Sequence, residues 1–178
     1  HIVAQGLNPY AAPAADPMWE DHRDSYWEAM NHKDKATAYP PLALGTFALI
    51  TQISYHPMAF KLCFLAADLL TLGGILSLLK SRGLALGFAG FYAFNPLILF
   101  AYAGEAHFDA LMVAALVWAL VAFQSGRTKW AVSLASIATG IKWITLPLIP
   151  FFAKRPRLVE GRLALAVLLL PILIFWNS

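Results

Sequence analysis

The chain has 178 residues, of which 60% are hydrophobic and 13% charged, with a mean hydropathy of +0.62 and a formal net charge of +3. So little polar surface cannot coat a water-soluble globule of this size, and an all-α integral membrane protein is expected. The single cysteine, Cys63, excludes an internal disulfide and a cysteine-built metal cluster.

Charge is distributed unevenly. Residues 1–38 carry six acids against three bases, whereas residues 39–178 carry ten bases against four acids. The basic excess sits in short links between apolar runs, which is a topology signal and not a nucleic-acid surface. The chain starts at His1 without an initiator Met, so it reads as an internal piece of a longer protein.

Residues 1–38 read as an aqueous, extracytoplasmic segment, punctuated by Asn8-Pro9-Tyr10, Ala12-Pro13 and Asp16-Pro17. Within it, Met18, Trp19, Tyr26, Trp27 and Met30 recur at rough helical spacing, with Asp16 available as cap and Pro17 as first helical residue. The spacing predicts a short amphipathic helix on the membrane surface, its tryptophans at headgroup level.

From residue 39 to 178 a transmembrane bundle of five or six segments is expected. Residues 40–53 are apolar but too few for a hydrocarbon layer about 30 Å thick. Runs at 57–79, 84–103, 108–123, 130–152 and 163–176 follow, joined by links of a few residues. Lys80-Ser81-Arg82-Gly83, Arg127-Thr128-Lys129 and Lys154-Arg155-Pro156-Arg157 are basic, and the link at 104–109 is acidic. Simple alternation cannot put all three basic links on the cytoplasmic side. It can if 40–53 fails to cross and 130–152 turns back near Gly140-Ile141-Lys142, so both are predicted to be broken or re-entrant.

Charges at membrane depth are rare and expensive, so those present are candidates for chemistry. Lys61 and Asp68 lie two turns apart; either Lys61 snorkels and Asp68 pairs with a neighbouring helix, or both line a polar cavity. Gly104-Glu105-Ala106-His107-Phe108-Asp109 puts three titratable groups in five residues at a hairpin tip. There, His107 and Asp109 face one cavity in an extended turn, or Glu105 and Asp109 stack on a helix, or Asp109 merely caps the helix that follows. Asn95-Pro96 is expected to break the helix leading into this tip. Tyr39-Pro40-Pro41 stiffens the entry into the membrane. The histidines show no metal-ligand spacing and no phosphate loop is present, so neither metal nor cofactor is expected.

Together these motifs carry a resemblance. Gly6-Leu7-Asn8-Pro9-Tyr10, the acidic tryptophan-bearing segment and Thr37-Ala38-Tyr39-Pro40-Pro41-Leu42 resemble the first outer loop of polyprenyl-phosphate-sugar-dependent glycosyltransferases of the GT-C membrane fold, mannosyltransferase-like members above all. Asn95-Pro96-Leu97-Ile98 with Gly104-Glu105-Ala106-His107-Phe108-Asp109-Ala110-Leu111, and Gly140-Ile141-Lys142-Trp143 with Pro147 and Pro150, are similar to two further motifs of that group. The resemblance implies transfer of a hexose, mannose first, from a polyprenyl-phosphate carrier to an acceptor hydroxyl at the outer face of a bacterial or archaeal plasma membrane. Glu105, His107 and Asp109 are then the catalytic candidates. Asn8, Tyr10, Tyr39, Asp68 and Lys142 are the candidates for substrate binding, with Lys142 meeting the phosphate. The group's base, an Asp, falls just upstream of Gly6, at or before the start of the chain. Without it, the competing expectation is a non-catalytic accessory subunit held among other membrane subunits. A transporter using Lys61, Asp68 and Lys142 as a midplane path is a third, with no repeated half to support it.

Overall fold

A computed structural model describes residues 2–153 and 158–176. Among the described residues every regular element is helical and no strand is present. The basic link Lys154-Arg155-Pro156-Arg157 lies outside the described residues. The longer helices are α1 (Pro41–Ile53), α2 (Pro57–Ser81), α3 (Asp109–Gln124), α4 (Thr128–Ile141) and α5 (Leu158–Trp176); shorter turns are named by their residues.

Among the described residues, helix α2 is the one helix long and apolar enough by itself to cross a membrane. At about 1.5 Å per residue its 25 residues reach about 37 Å. Proline occupies its first turn, where the missing N–H costs nothing, and His56 Nδ1 accepts from Met58 N at 3.1 Å. Leu62, Leu69 and Leu70 remain more than half exposed on it. Leu86–Ala93 and Pro96–Gly104 pass the same test as a pair, bent by 50°. The bend falls at Asn95-Pro96, where Asn95 Oδ1 accepts from Leu97 N and starts the second piece afresh. Helix α1, at 13 residues, is about 20 Å long.

Helices α3 and α4 form the tightest hairpin. Small side chains let them approach closely, with Ala119, Ala122, Ala131 and Ala135 in one core cluster with Val132 and Phe152. Gly126, at φ +71°, makes the turn between them, a conformation other residues adopt only at a cost. Helix α2 packs on α3, while α1 and α5 lie against α4. The hydroxyls of Thr71, Ser136 and Thr139 fold back on carbonyls four residues earlier, so these buried polar groups are satisfied within their own helices.

Two ends of the bundle differ in chemistry. The link after α2 meets the end of α3, where the Gln124 amide hydrogen-bonds Ser81 Oγ at 3.1 Å, so Lys80, Arg82 and the Arg127-Thr128-Lys129 link gather at one end. The entry segment and the acidic tip lie at the other.

Residues 17–30 do not form the predicted amphipathic helix. A 3-10 turn, Pro17–His22, is capped by Asp16, and a separate four-residue helix, Ser25–Glu28, is capped by Asp24. The second cap is the physical reason: Asp24 Oδ1 takes the N–H groups of Tyr26 and Trp27 and restarts the helix in a new direction. Trp19 is 5% exposed and gives its indole N–H to Ala12 O at 3.4 Å, so it packs inside the segment and is not a headgroup anchor.

Close packing of α1 on α4 passes through Gly140, where an added Cβ would sit 2.8 Å from Leu42 Cδ2 and 3.1 Å from Leu42 Cβ. Gly140→Ala is therefore expected to push α1 away and cost about 1–3 kcal/mol, read as a lowered Tm in detergent. Gly45→Ala, inside the same helix α1 but with open space around its Cβ position, is the control that should hold or slightly raise Tm.

Candidate functional site

The acidic tip is built by a tight reversal. Pro96–Gly104 ends in a π-wound turn, after which Glu105 N donates to Phe100 O and His107 N to Ala101 O, each at 2.9 Å. Between them Ala106 sits at φ +55°, a left-handed conformation unusual for a residue with a Cβ. This reversal starts α3 at Asp109, so Glu105 lies outside the helix and the i,i+4 stack with Asp109 does not form. Nor is Asp109 a cap: the capping position belongs to Phe108, which makes no side-chain cap bond. Asp109 stands in the first turn of α3, where the helix dipole favours a carboxylate. Glu105 and His107 are exposed.

The partner of Asp109 comes from the break after α4. Ile141 ends that helix, Lys142 is extended at φ −152°, ψ 120°, and the chain continues as a 3-10 turn, Trp143–Leu148, that packs back on α4. Two hydroxyls hold the break: Thr139 gives its proton to Ala135 O, and Thr145 Oγ1, 2.9 Å from Thr139 Oγ1 and 3.2 Å from Lys142 O, has its one proton to give to either. Released from the helix, Lys142 reaches the tip, its Nζ 2.6 Å from Asp109 Oδ1 and 5.7 Å from the centre of the Phe108 ring. The two side chains are 44% and 24% exposed. An ion pair this open to solvent adds only about 0–1 kcal/mol to stability, and its ammonium remains accessible to a second anion.

Beside this pair the entry segment forms an open cleft of about 430 Å³, within the range of small-molecule sites. Asn8, Tyr10 and Tyr39 line one side and Trp143, next to Lys142, lines the other. Tyr10 OH donates to Tyr39 O at 2.6 Å, and burial pushes its phenol up to about 12. Asn8 Oδ1 holds Tyr10 N at 3.0 Å. The Tyr39 ring meets Phe108 edge to face at 5.1 Å and Phe47 at 5.9 Å. Thus the end of the entry segment, the acidic tip and the break after α4 touch one another.

Two sequence candidates lie elsewhere. Asp68 is buried on α2 and accepts from Tyr92 OH at 2.5 Å, bracing the bent pair, and does not line the cleft. Lys61 donates to Gly104 O at 2.9 Å and supports the tip from α2. Phe108, Trp143 and the Thr139–Thr145 pair were not singled out from sequence. Trp143 beside a membrane-depth lysine was a usable signal; two threonines six residues apart were not. Among the described residues no group of three or more His, Cys, Asp or Glu is placed to hold a metal ion.

Residues 1–155 match the family described as alpha-(1->6)-mannopyranosyltransferase, N-terminal domain. Neither a curated protein nor a solved structure matches the chain.

One contact pins the entry segment to the start of α2: Tyr55 OH donates to the Asp24 carboxylate, with Tyr26 and Tyr55 edge to face at 5.3 Å. That hydrogen bond, helped by those from Trp27 N and Tyr26 N, holds the Asp24 carboxyl below its ordinary value of 3.8; burial and the same bond push the Tyr55 phenol up. A depressed carboxylate stabilises the fold above its unfolded pKa and stops doing so as pH falls through the lower folded value. Tryptophan emission from the entry segment should thus hold steady from neutral pH down past 3.8 and change below it. In Tyr55→Phe the change should begin at higher pH, and identical acid transitions in both proteins would contradict this.

Proposed function

Given that the chain belongs to the alpha-(1->6)-mannopyranosyltransferase family, we propose that it works as a membrane glycosyltransferase of GT-C type, moving mannose from a polyprenyl-phosphate carrier to an acceptor hydroxyl. The observation that carries this reading is the Lys142–Asp109 ion pair, which adjoins the cleft through Trp143, the residue after Lys142 and part of the cleft lining. In such a transfer the acceptor oxygen forms a bond to the anomeric carbon as the bond to the carrier phosphate breaks. The acceptor proton passes to a base, and the phosphate leaves with one more negative charge. Stabilising that developing charge is what an ammonium fixed beside a cleft does best.

Lys142 is assigned to the phosphate and Asp109 to holding Lys142 in place before the donor arrives. Glu105 and His107, exposed on the same tip, are assigned to proton transfer and to acceptor hydroxyls. Asn8, Tyr10 and Tyr39 are assigned to the hexose, amide and phenol groups being suited to hydroxyl recognition. Asp68 drops out of the substrate set and becomes a brace.

A membrane setting fits the exterior. Phe91 and Phe94 on the bent pair are 80% and 82% exposed, and Ile144 on the returning turn 75%. Side chains this greasy and this uncovered suit lipid far better than water. In this reading α2 and the bent pair span, the shorter apolar helices enter from the cleft side, and the basic end faces the cytoplasm. The entry segment and the tip then share the outer face, where a lipid-borne donor is presented.

Transfer of labelled mannose from polyprenyl-phosphate mannose, measured on full-length protein in membranes, tests the assignment. Lys142→Gln should lower kcat/KM by about 10²–10³-fold and Asp109→Asn by about 10²-fold, with Tm unchanged in each. Wild-type turnover in both variants removes the site.

A further inference from the structure

The entry segment encloses a second hollow, of about 100 Å³, that shares no lining residue with the cleft. At about 10–15 Å³ per water position it has room for roughly seven to ten waters, on the order of one pyranose ring. Its wall is unusually aromatic for so short and acidic a stretch: Trp19, Tyr26, Trp27 and, from the start of α2, Tyr55 all line it. Trp19 forms a covered wall, while Tyr26 and Tyr55 are 42% and 41% exposed.

The polar groups at this hollow select the class of ligand. Arg23, which lines it, is engaged through one nitrogen: its Nη2 donates to Ala15 O at 2.8 Å and Asp16 O at 3.1 Å, its Cζ stacks 4.5 Å from the centre of the Trp27 ring, and its buried Nε has no hydrogen-bond partner. Lys33 lies 4.1 Å from that same ring and donates to Glu28 O. Both cations lie against the Trp27 ring, and the segment as a whole carries six acids against three bases. The acid excess disfavours an anionic ligand, and the Arg23 Nε donor suits a neutral oxygen acceptor equally well. The hollow also presents aromatic surface, His22 and the hydrogen-bonded Asp24–Tyr55 pair, whose carboxylate has acceptor sites beyond those it uses. Rings that take C–H faces, edged by groups that exchange hydrogen bonds with hydroxyls, suit a neutral ligand rich in both.

We propose that this hollow binds one pyranose unit of a neutral acceptor glycan, outside the cleft where transfer takes place. The inference rests on the glycosyltransferase reading and adds to it a place for the acceptor's body. Because the same segment lines both hollow and cleft, an acceptor held here is held by the element that also presents Asn8 and Tyr10 to the donor side.

The test uses full-length protein in detergent with linear α-1,6-mannotetraose as probe. Tyr26 meets Tyr55 through its ring, so Tyr26→Ala leaves the helix caps and backbone hydrogen bonds standing. That variant should raise the acceptor KM, and weaken the mannotetraose-dependent change in tryptophan fluorescence, by about tenfold, with kcat and donor KM held within about twofold. Tyr26→Phe should restore both. Unchanged acceptor KM and fluorescence titration in Tyr26→Ala overturn the inference, as does a response to phosphatidylglycerol vesicles with none to mannotetraose. Wild-type protein that shows the Tyr26-dependent fluorescence response but transfers no mannose upholds this site and defeats the function proposed above.

Discussion

The arrangement at the cleft end depends on one helix stopping where it does. If α4 ran one turn further, Lys142 would stay on its helix and Asp109 would face no cation. Because the chain turns extended at Lys142, the ammonium swings to the first turn of α3 and joins two elements 33 residues apart in sequence. The break is held by the Thr139–Thr145 hydroxyl pair and by Pro147, which cannot donate to a regular helix. Strength is not what the ion pair supplies, since both members are partly solvated. It supplies position, and a charge that another anion can reach.

Breaks of this kind carry a backbone cost that the protein meets locally. At the bend between Leu86–Ala93 and Pro96–Gly104, Asn95 replaces a lost helical acceptor with its own side chain. At the tip the π-wound turn hands its carbonyls to Glu105 N and His107 N. Lys61 adds a donor to Gly104 O from the side. The repairs at the tip lie at the cleft end, where irregular backbone borders a wet surface, while the Asn95 bend lies partway along the bent pair, near the Tyr92–Asp68 hydrogen bond. The opposite end is built from ordinary helix ends and basic links.

The entry segment is a folded cover. Its caps at Asp16 and Asp24, the indole bonds of Trp19 and Trp27 to Ala12 O and Ala14 O, and the Ala15 N to Lys33 O bond close it on itself. Its far end is tied to the bundle through Tyr39 on Phe108 and Tyr55 on Asp24. Aromatic residues do much of this work, which is why a stretch rich in charge and proline holds a defined shape.

Composition and pattern were enough to identify apolar helices, the fracture at Asn95-Pro96, the turn-back near Lys142 and the acidic tip, because prolines, prolonged apolar runs and isolated charges act over a few residues. The motifs also pointed to a mannosyltransferase-like family, which the family match supports. Partners were another matter. Whether Lys142 would meet Asp68 or Asp109, whether Asp109 would cap its helix, and whether Trp19 would face lipid or its own segment depended on contacts between elements far apart in the chain. Local spacing specifies where a helix starts and stops. Only packing decides which of several equally charged neighbours a freed side chain can reach, since that is set by the crossing of α3 and α4 and by the small residues that bring them together.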